Sequence, residues 1–343
     1  MFLANISQKS EQMKIVADRA IPFLVGVLEP YAEVVYMDGD KISARAVSDA
    51  DALIVRTRTR CDAKLLEGSA VKLIATATIG FDHIDLRYCR RAGIIVTTAA
   101  GCNSAGVLQW VSAALAMLAE KDGFTPEQRT LGIVGVGNIG RLVKQYAEAW
   151  GFRTICCDPP REKVEKLGFV ELEDVLREAD IVTLHTPLDN KTRGMISAEQ
   201  VALMRDGATL INASRGEVVQ TKALLSEKIR CVLDVWENEP QIDRRLLDKA
   251  LVATPHIAGY SLQGKANATA MSVRAVASFF GMPLISWYPP QVTPAERKPI
   301  TWEEMCRTIG NHCNLAEESR QLKESPERFE SLRSEYDYRN EYF

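Results

Sequence analysis

The sequence predicts an α/β protein built from two doubly wound parallel-sheet domains. Short apolar, β-branched runs alternate with segments of helical period along most of the chain, which is typical of parallel strands joined by helical crossovers. The middle runs carry apolar residues on both faces, as expected where helices cover both sides of a sheet. A glycine-rich turn stands at residues 135–140, close to the middle of the chain and far from its start.

The strands are predicted from these apolar runs. The first begins at Met13, and the segment ADALIV forms another just before residue 56. The remaining strand predictions are 71–75, 94–97, 131–135, 154–157, 181–184, 209–212, 231–235 and 251–254. Residues 105–118 form the longest apolar helix candidate, and polar residues inside it indicate a buried helix instead of a membrane span.

A second helix is predicted directly after the glycine-rich turn. Leu142, Tyr146 and Trp150 recur at every fourth position and give this helix one apolar face. Gly151 follows the face and is a typical helix end. A strand, this turn and an amphipathic helix therefore follow one another without interruption.

The turn GVGNIG has the G-x-G-x-x-G spacing of a dinucleotide-binding loop. Gly135 permits a tight turn, Gly137 lets the backbone approach a pyrophosphate, and Gly140 lets the helix pack closely on the strand. The next strand ends at Asp158, 18 residues after Gly140, where a carboxylate would bind ribose hydroxyls and repel a 2′-phosphate. The pattern favours NAD over NADP, although a structural turn with an incidental aspartate is the alternative.

The position of this turn predicts the domain organisation. A Rossmann domain at 106–255 is inserted into a discontinuous, flavodoxin-like substrate domain at 13–105 and 256–288. Residues 1–12 are expected to be an extension. Residues 289–343 are charged and helix-prone, with little apolar content of their own, so we expect this C-terminal segment to be solvated or to pack on a partner chain.

Polar residues that follow three later strands suggest a catalytic site. Arg215, Asp234, Glu239 and His256 would meet at the carboxyl edge of the sheet, where doubly wound folds bind ligands. An arginine can hold a substrate carboxylate, a histidine can take a hydroxyl proton, and a glutamate can orient the imidazole. Singly, each has a plainer interpretation as a helix-end charge, a surface ion pair or a structural histidine. Together they favour oxidation of a 2-hydroxy acid.

With these residues, the motifs NASRG, DVWENEP and PHIAGY after the glycine turn resemble those of the D-isomer-specific 2-hydroxyacid dehydrogenases, over about residues 13 to 285. The resemblance implies that Arg215, Glu239 and His256 are catalytic. It places the NAD contacts on Asn138, Ile139, Asp158, Thr186, Ala213, Ser214, Arg215, Asp234 and Gly259.

Within that family the sequence most resembles the branch that oxidises 4-phospho-D-erythronate in pyridoxal phosphate biosynthesis. The stretches ATATIGFDHID, AAGCNSAGV and HIAGYSLQGKA carry this likeness, which implies substrate contacts at Thr57, Thr78 and Tyr260 and a dimerisation role for residues 289–343. Arg56 and Arg58, with Arg60, would supply phosphate ligands if they alternate along a strand; an exposed basic edge is the alternative. The sequence departs from this branch at Gln109, where the branch commonly has an acidic residue.

Other function classes are opposed by composition. The 343 residues carry a net charge of −3, which gives no basic bias toward nucleic acid or anionic membranes. The N-terminus has no secretory pattern, and the eight scattered cysteines suggest reduced thiols in a cytoplasmic enzyme with no metal-ligand spacing. Two alternatives remain: a dehydrogenase of another D-2-hydroxy acid such as 3-phosphoglycerate, or an NAD-sensing, corepressor-like regulator.

Overall fold

The computed structural model describes residues 12–166 and 168–343, and these form two compact α/β units. The first unit comprises the described residues up to Cys102 together with Lys265–Thr293. The second comprises Asn103–Gly264 and Pro294–Phe343. The predicted extension at residues 1–12 lies almost wholly outside the described residues.

The described part of the chain contains eleven strands. They are β1 Lys14–Asp18, β2 Glu33–Met37, β3 Ala52–Val55, β4 Leu73–Thr76, β5 Ile95–Thr98, β6 Thr130–Val134, β7 Arg153–Cys157, β8 Ile181–Leu184, β9 Thr209–Asn212, β10 Arg230–Leu233 and β11 Val252–Ala253. All of their pairings are parallel.

Fourteen α-helices are described, several of them a single turn long. They are α1 Ala44–Val47, α2 Ala63–Leu66, α3 Leu86–Ala92, α4 Ser104–Asp122, α5 Asn138–Trp150, α6 Pro159–Glu165, α7 Leu172–Glu178, α8 Ala198–Leu203, α9 Thr221–Leu224, α10 Arg244–Lys249, α11 Leu262–Phe280, α12 Trp302–Thr308, α13 Leu315–Glu324 and α14 Phe329–Ser334. None in the described ranges combines the length and apolar character needed to span a bilayer.

The first unit is a five-stranded sheet with the order β2-β1-β3-β4-β5. This is the flavodoxin-like order, in which the winding reverses between β1 and β3. Ala52–Val55 and Leu73–Thr76 are buried along their whole length because apolar clusters cover both faces of the sheet.

The second unit is a six-stranded sheet with the order β11-β10-β9-β8-β6-β7. The winding reverses at β6, and the loops after β6 and β8 therefore border the crevice where such folds bind nucleotides. Just beyond β7, the Val170 amide donates to the Cys156 carbonyl at 2.9 Å, which ties the segment before α7 to the edge strand. These two sheets confirm the predicted fold class of two parallel-sheet α/β domains.

Helix α5 shows why the sequence folds locally as it does. Its buried residues include Leu142, Tyr146 and Trp150, the predicted apolar face, and its cap Gly151 adopts a φ of 105°. Helix α4 is buried over most of its length, as its apolar composition predicts. Both helices contribute to one core cluster that packs against β6.

The expectation that the C-terminal segment is solvated or packs on a partner is wrong. Met305, Ile309 and Leu315 lie in the same core cluster as α4 and α5, while Leu322 and Phe329 lie in the cluster on the opposite face of the sheet. The segment has few apolar residues, but their spacing along short helices directs nearly all of them inward. It is therefore an integral part of the second unit.

The boundary between the two units also differs from the predicted one at 255/256. The second unit continues to Gly264, because the backbone after His256 is hydrogen-bonded to β10 and to the C-terminal segment. The ends of the predicted strands shift by at most two residues, and β8 and β9 coincide with the prediction, whereas β2 has no counterpart among the predicted strands.

Candidate active site

The glycine-rich turn leads from β6 into α5, and each glycine is required there for a different reason. Gly135 adopts a φ of 86°, and a Cβ on it would lie 2.8 Å from the His185 carbonyl oxygen. A Cβ on Gly140 would lie 2.0 Å from the Gly135 oxygen, so no side chain fits. A Cβ on Gly137 would meet nothing within 4 Å. The surface beside Gly137 is thus open to a ligand at the positive end of a 13-residue helix.

Asp158 lies at the end of β7 beside this turn. Its Oδ2 accepts a hydrogen bond from the Val136 amide at 2.7 Å, and its Oδ1 caps α6 through the Arg161 amide at 3.1 Å. The Arg161 guanidinium instead forms a two-bond ion pair with Glu165 and donates to the Val136 carbonyl. A carboxylate fixed next to the glycine turn suits recognition of a ribose, as the sequence predicts.

Other predicted cofactor residues border the same crevice. The Thr186 hydroxyl, after β8, is buried and has no hydrogen-bond partner within the described ranges, so a ligand could satisfy it. Ser214, after β9, is buried and bonded to the Asn212 carboxamide oxygen, while Ala213 beside it is half-buried. A Cβ on Gly259 would lie 2.0 Å from the Asn103 side-chain nitrogen. The open turn, the helix end and the unsatisfied hydroxyl fit a dinucleotide.

Replacing Gly137 with alanine tests this fit. We expect the variant to keep its free energy of unfolding, because the added methyl meets no protein atom, but to bind NAD at least roughly 10-fold more weakly by blocking the close backbone approach. Calorimetric titration with NAD and chemical denaturation measure the two quantities. Unchanged NAD affinity would show that the pyrophosphate does not approach here.

His256 and Glu239, which the sequence predicts to act as an acid–base pair, are in direct contact. His256 Nδ1 lies 2.7 Å from Glu239 Oε2, and Glu239 Oε1 accepts the Trp236 amide at 2.9 Å. About a quarter of the His256 side chain remains exposed, whereas Glu239 is more deeply covered. The imidazole is thus held from one side and open on another.

The electrostatics of the pair fix its proton arrangement. Burial alone would raise the pKa of Glu239, but the charge and hydrogen bond of His256, the Trp236 amide and the charge of Arg333 outweigh it and lower the pKa below its usual value. Glu239 is therefore a carboxylate at neutral pH and can only accept. The proton between the two side chains then lies on His256 Nδ1, which leaves Nε2 as the basic nitrogen.

Asp234 holds the backbone that carries His256. It is buried, and its two oxygens accept the Ile257 and Ala258 amides at 2.8 and 2.9 Å and the Thr254 hydroxyl at 2.6 Å. Its carbonyl oxygen accepts the His256 amide at 2.7 Å. Burial raises the pKa of Asp234, although the charge of His256 and these hydrogen bonds act to lower it. The observed role is thus to anchor the loop, and a direct cofactor contact stays a prediction.

His256 itself adopts a φ of 60°, in the left-handed region that non-glycine residues rarely enter. Such strain persists only where surrounding bonds impose it, and here the bonds to Asp234 do so. The sequence contains no signal for this conformation.

Arg215 follows β9, on the neighbouring strand to that of Asp234. It is half-buried, its Nη1 donates to the Ser214 carbonyl at 2.8 Å, and its own carbonyl accepts from the Asn212 side chain at 3.0 Å. Gly216 must be glycine, since a Cβ would lie 1.9 Å from the Trp236 carbonyl carbon. The turn after β9 is therefore pressed against the loop that carries Glu239.

Tyr260, a predicted substrate residue, follows His256 by four residues. Its hydroxyl accepts a hydrogen bond from Arg333 Nε at 3.1 Å, and its ring makes edge contacts with Tyr336 and Tyr338 at about 6 Å. All three neighbours belong to the C-terminal segment. The sequence places no site residue there, because an arginine in a charged, helix-prone stretch looks like surface.

The other predicted substrate residues lie in the first unit. Thr57 and Arg58 are exposed in the turn after β3, and Arg56 donates to the Ala20 carbonyl at 3.0 Å, at the carboxyl edge of the sheet. The idea that the three arginines alternate along a strand is wrong: β3 ends at Val55, and the Thr59 amide closes a turn onto the Arg56 carbonyl. Arg60 forms an exposed ion pair with Asp62.

Thr78 follows β4 at the same edge. Its hydroxyl lies 2.6 Å from that of Thr76 and donates to the Gly80 carbonyl, and the Thr76 hydroxyl lies 3.2 Å from His83 Nε2. His185, in the second unit, is bonded to Thr183, and burial lowers its pKa to about 3, so it is neutral at pH 7.

Comparison with known proteins identifies the family. Residues 107–258 match the model described as "D-isomer specific 2-hydroxyacid dehydrogenase, NAD binding domain". The chain is 44% identical to a protein of Bacteroides fragilis named erythronate-4-phosphate dehydrogenase, over 96% of this chain and 97% of that protein. A protein of Azotobacter vinelandii with the same name is 42% identical, over 84% of this chain and 77% of the relative.

The solved structures that resemble this chain include the D-lactate dehydrogenase of Aquifex aeolicus complexed with NAD and lactic acid. It is 27% identical, with a TM-score of 0.65 over 82% of this chain and 100% of that one. The predicted family and the predicted cofactor NAD are thereby confirmed. The chain belongs to the D-isomer-specific 2-hydroxyacid dehydrogenase family and is an NAD-dependent oxidoreductase.

Proposed function

We propose that this protein oxidises 4-phospho-D-erythronate to 2-oxo-3-hydroxy-4-phosphobutanoate with NAD. The observation that carries the proposal is the 2.7 Å bond between His256 and Glu239, placed on the loops after β10 and β11 of a dinucleotide-binding sheet. Identities of 42–44% to relatives named erythronate-4-phosphate dehydrogenase support the choice of substrate.

The side chains divide the chemistry among them. Bound NAD would supply the acceptor for the hydride of the substrate's hydroxyl-bearing carbon. His256 Nε2 takes the proton of the same hydroxyl group as a general base, and Glu239 stabilises the resulting imidazolium through Nδ1. Arg215 holds the substrate carboxylate through its planar fork. Asp234 and Gly216 keep the His256 and Arg215 backbones in place.

The other assigned residues have supporting parts in the proposal. Gly135, Gly137, Asn138, Ile139 and Gly140 form the pyrophosphate cradle, with Asp158 on the ribose. Thr57, Thr78 and Tyr260 contact the substrate, and Arg56 and Arg58 add positive charge near it. We further propose a homodimer that acts in the cytoplasm, in pyridoxal phosphate biosynthesis.

A substrate panel tests the proposal. Absorbance at 340 nm is followed with NAD and 4-phospho-D-erythronate, 3-phospho-D-glycerate, D-erythronate or D-lactate, with a 2-oxo acid acceptor added to displace the equilibrium. We expect the highest kcat/KM with 4-phospho-D-erythronate. Preference for 3-phospho-D-glycerate or D-lactate would keep the acid–base pair and discard the substrate.

The same panel separates an enzyme from an NAD-sensing regulator. The regulator hypothesis requires tight NAD binding with no turnover of any hydroxy acid. The pairing of His256 with an ionised Glu239 favours the enzyme, since a sensor needs no base of defined tautomer.

A further inference from the structure

Helix α14 brings a cation to the catalytic pair. Phe329 is fully buried and anchors the first residue of the helix, and Leu332 packs on the same cluster. Arg333 follows, with only a quarter of its side chain exposed and its Nε donating to the Tyr260 hydroxyl at 3.1 Å. A fixed, largely covered arginine beside the active site needs a negative charge nearby.

The nearby carboxylates of Glu330 and Glu239 leave hydrogen-bonding capacity on the Arg333 guanidinium. Glu330 lies 3.8 Å from Nη1, a loose contact in which the carboxylate is 45% exposed. The charge of Arg333 helps to lower the pKa of Glu239, but the two oxygens of Glu239 already accept hydrogen bonds from His256 and from the Trp236 amide. The edge of the guanidinium that carries Nη1 and Nη2 is therefore suited to a further anion.

Tyr260 keeps this arginine in position. Its hydroxyl holds Nε, and its ring packs between Tyr336 and Tyr338 of the same C-terminal segment. Tyr260 follows His256 by four residues on the loop that Asp234 anchors. Arg333 is thus tied to the same rigid framework as the base.

We propose that Arg333 is a substrate-binding residue whose guanidinium holds the terminal phosphate of the hydroxy acid. The inference rests on the proposed function and deepens it. The substrate has a carboxylate at one end and a phosphate at the other, so it requires two cations. Arg215 serves the carboxylate, and Arg333, approaching from α14, provides the planar fork that binds phosphate oxygens in pairs.

The test compares Arg333→Gln and Arg333→Lys with the wild type on two substrates that differ only in the phosphate, 4-phospho-D-erythronate and D-erythronate. Arg328→Gln is the matched control, because Arg328 is an exposed arginine at the start of the same helix. We expect Arg333→Gln to raise KM for the phosphorylated acid roughly 10- to 100-fold and to lower kcat/KM for D-erythronate much less, by the part that Arg333 contributes through Glu239 and Tyr260. Arg333→Lys should give an intermediate KM for the phosphorylated acid alone, and it carries the test if the glutamine variant does not fold.

The outcomes separate this inference from the proposed function. An equal loss on both substrates would mean that Arg333 acts only through Glu239 or Tyr260, and would overturn the phosphate role. An equal effect of Arg328→Gln would assign the result to general electrostatics and overturn it as well. A wild type that does not prefer the phosphorylated acid would instead refute the proposed function, and the inference would fall with it.

Discussion

Replacing His256 with asparagine is expected to lower kcat roughly 10²- to 10⁴-fold while leaving NAD affinity nearly unchanged. Asparagine removes the base but tolerates the left-handed backbone that His256 adopts at a φ of 60°. The hydrogen bond from the backbone amide of residue 256 to the Asp234 carbonyl, 2.7 Å long with histidine, also survives the change. Loss of turnover then reports the missing proton acceptor and not a displaced loop.

The measurement is steady-state turnover with the preferred hydroxy acid, combined with calorimetric titration of NAD. His312→Asn is the control, since His312 stacks on Tyr342 and is bonded to neither Glu239 nor Asp234 in the described contacts. Near-normal kcat in His256→Asn would remove His256 from the mechanism. Lost NAD binding with normal turnover at saturation would assign it to the cofactor instead.

Replacing Arg339 with methionine should lower the free energy of unfolding by about 3–5 kcal/mol, the range found when one partner of a buried charged network is removed. Arg339 is buried, and its guanidinium donates to the carbonyls of Ile257 and Ala258, at 3.2 Å for Ile257. It also donates to the Gly106 carbonyl at 3.0 Å and to the Tyr336 hydroxyl at 3.0 Å. Methionine fills similar space but leaves three buried carbonyls without these donors.

Chemical denaturation of the two proteins checks this loss, and Arg328→Met, at an exposed site, should change the midpoint little. In the loop that carries His256, the amides of Ile257 and Ala258 donate hydrogen bonds to Asp234, and the carbonyls of the same two residues accept from Arg339. Because Arg339 holds this loop, we also expect reduced turnover in the folded fraction. A midpoint equal to that of the wild type would show that the carbonyls are satisfied without Arg339.

The central strands and the contact between Glu239 and His256 could be predicted because their signals are local. Runs such as 181–184 and 209–212 consist mainly of apolar and β-branched residues, and their boundaries coincide with β8 and β9. Gly135, Gly137 and Gly140 have a spacing that only a tight strand-to-helix turn requires. Glu239 and His256 follow two such strands, so topology alone brings them to one edge, and their bond is 2.7 Å.

The remaining features depend on contacts that sequence patterns do not encode. Arg333 and Arg339 lie in a charged stretch, and nothing local distinguishes a buried arginine that donates to distant carbonyls from a solvated one. The turn after Val55 is similar, since Arg56 through Arg60 alternate as in a strand but the backbone folds back at Thr59. The β-branched threonines favour an extended chain there, but a local turn forms, and its side chains are held by distant groups: the Thr59 hydroxyl donates to the Gly39 carbonyl at 2.8 Å and Arg56 to the Ala20 carbonyl at 3.0 Å.

The hydrogen bonds from Arg339 to the carbonyls of Ile257 and Ala258 also determine when the loop that carries His256 can complete its folding during synthesis. Ala258 precedes its partner by 81 residues, which a ribosome takes roughly 4–16 s to add. Throughout that interval a nascent chain already contains the glycine turn and Asp158, but the carbonyls beside His256 lack the guanidinium that will hold them. The predicted nucleotide-binding sequence is therefore synthesised well before the loop that carries His256 can form its bonds to Arg339.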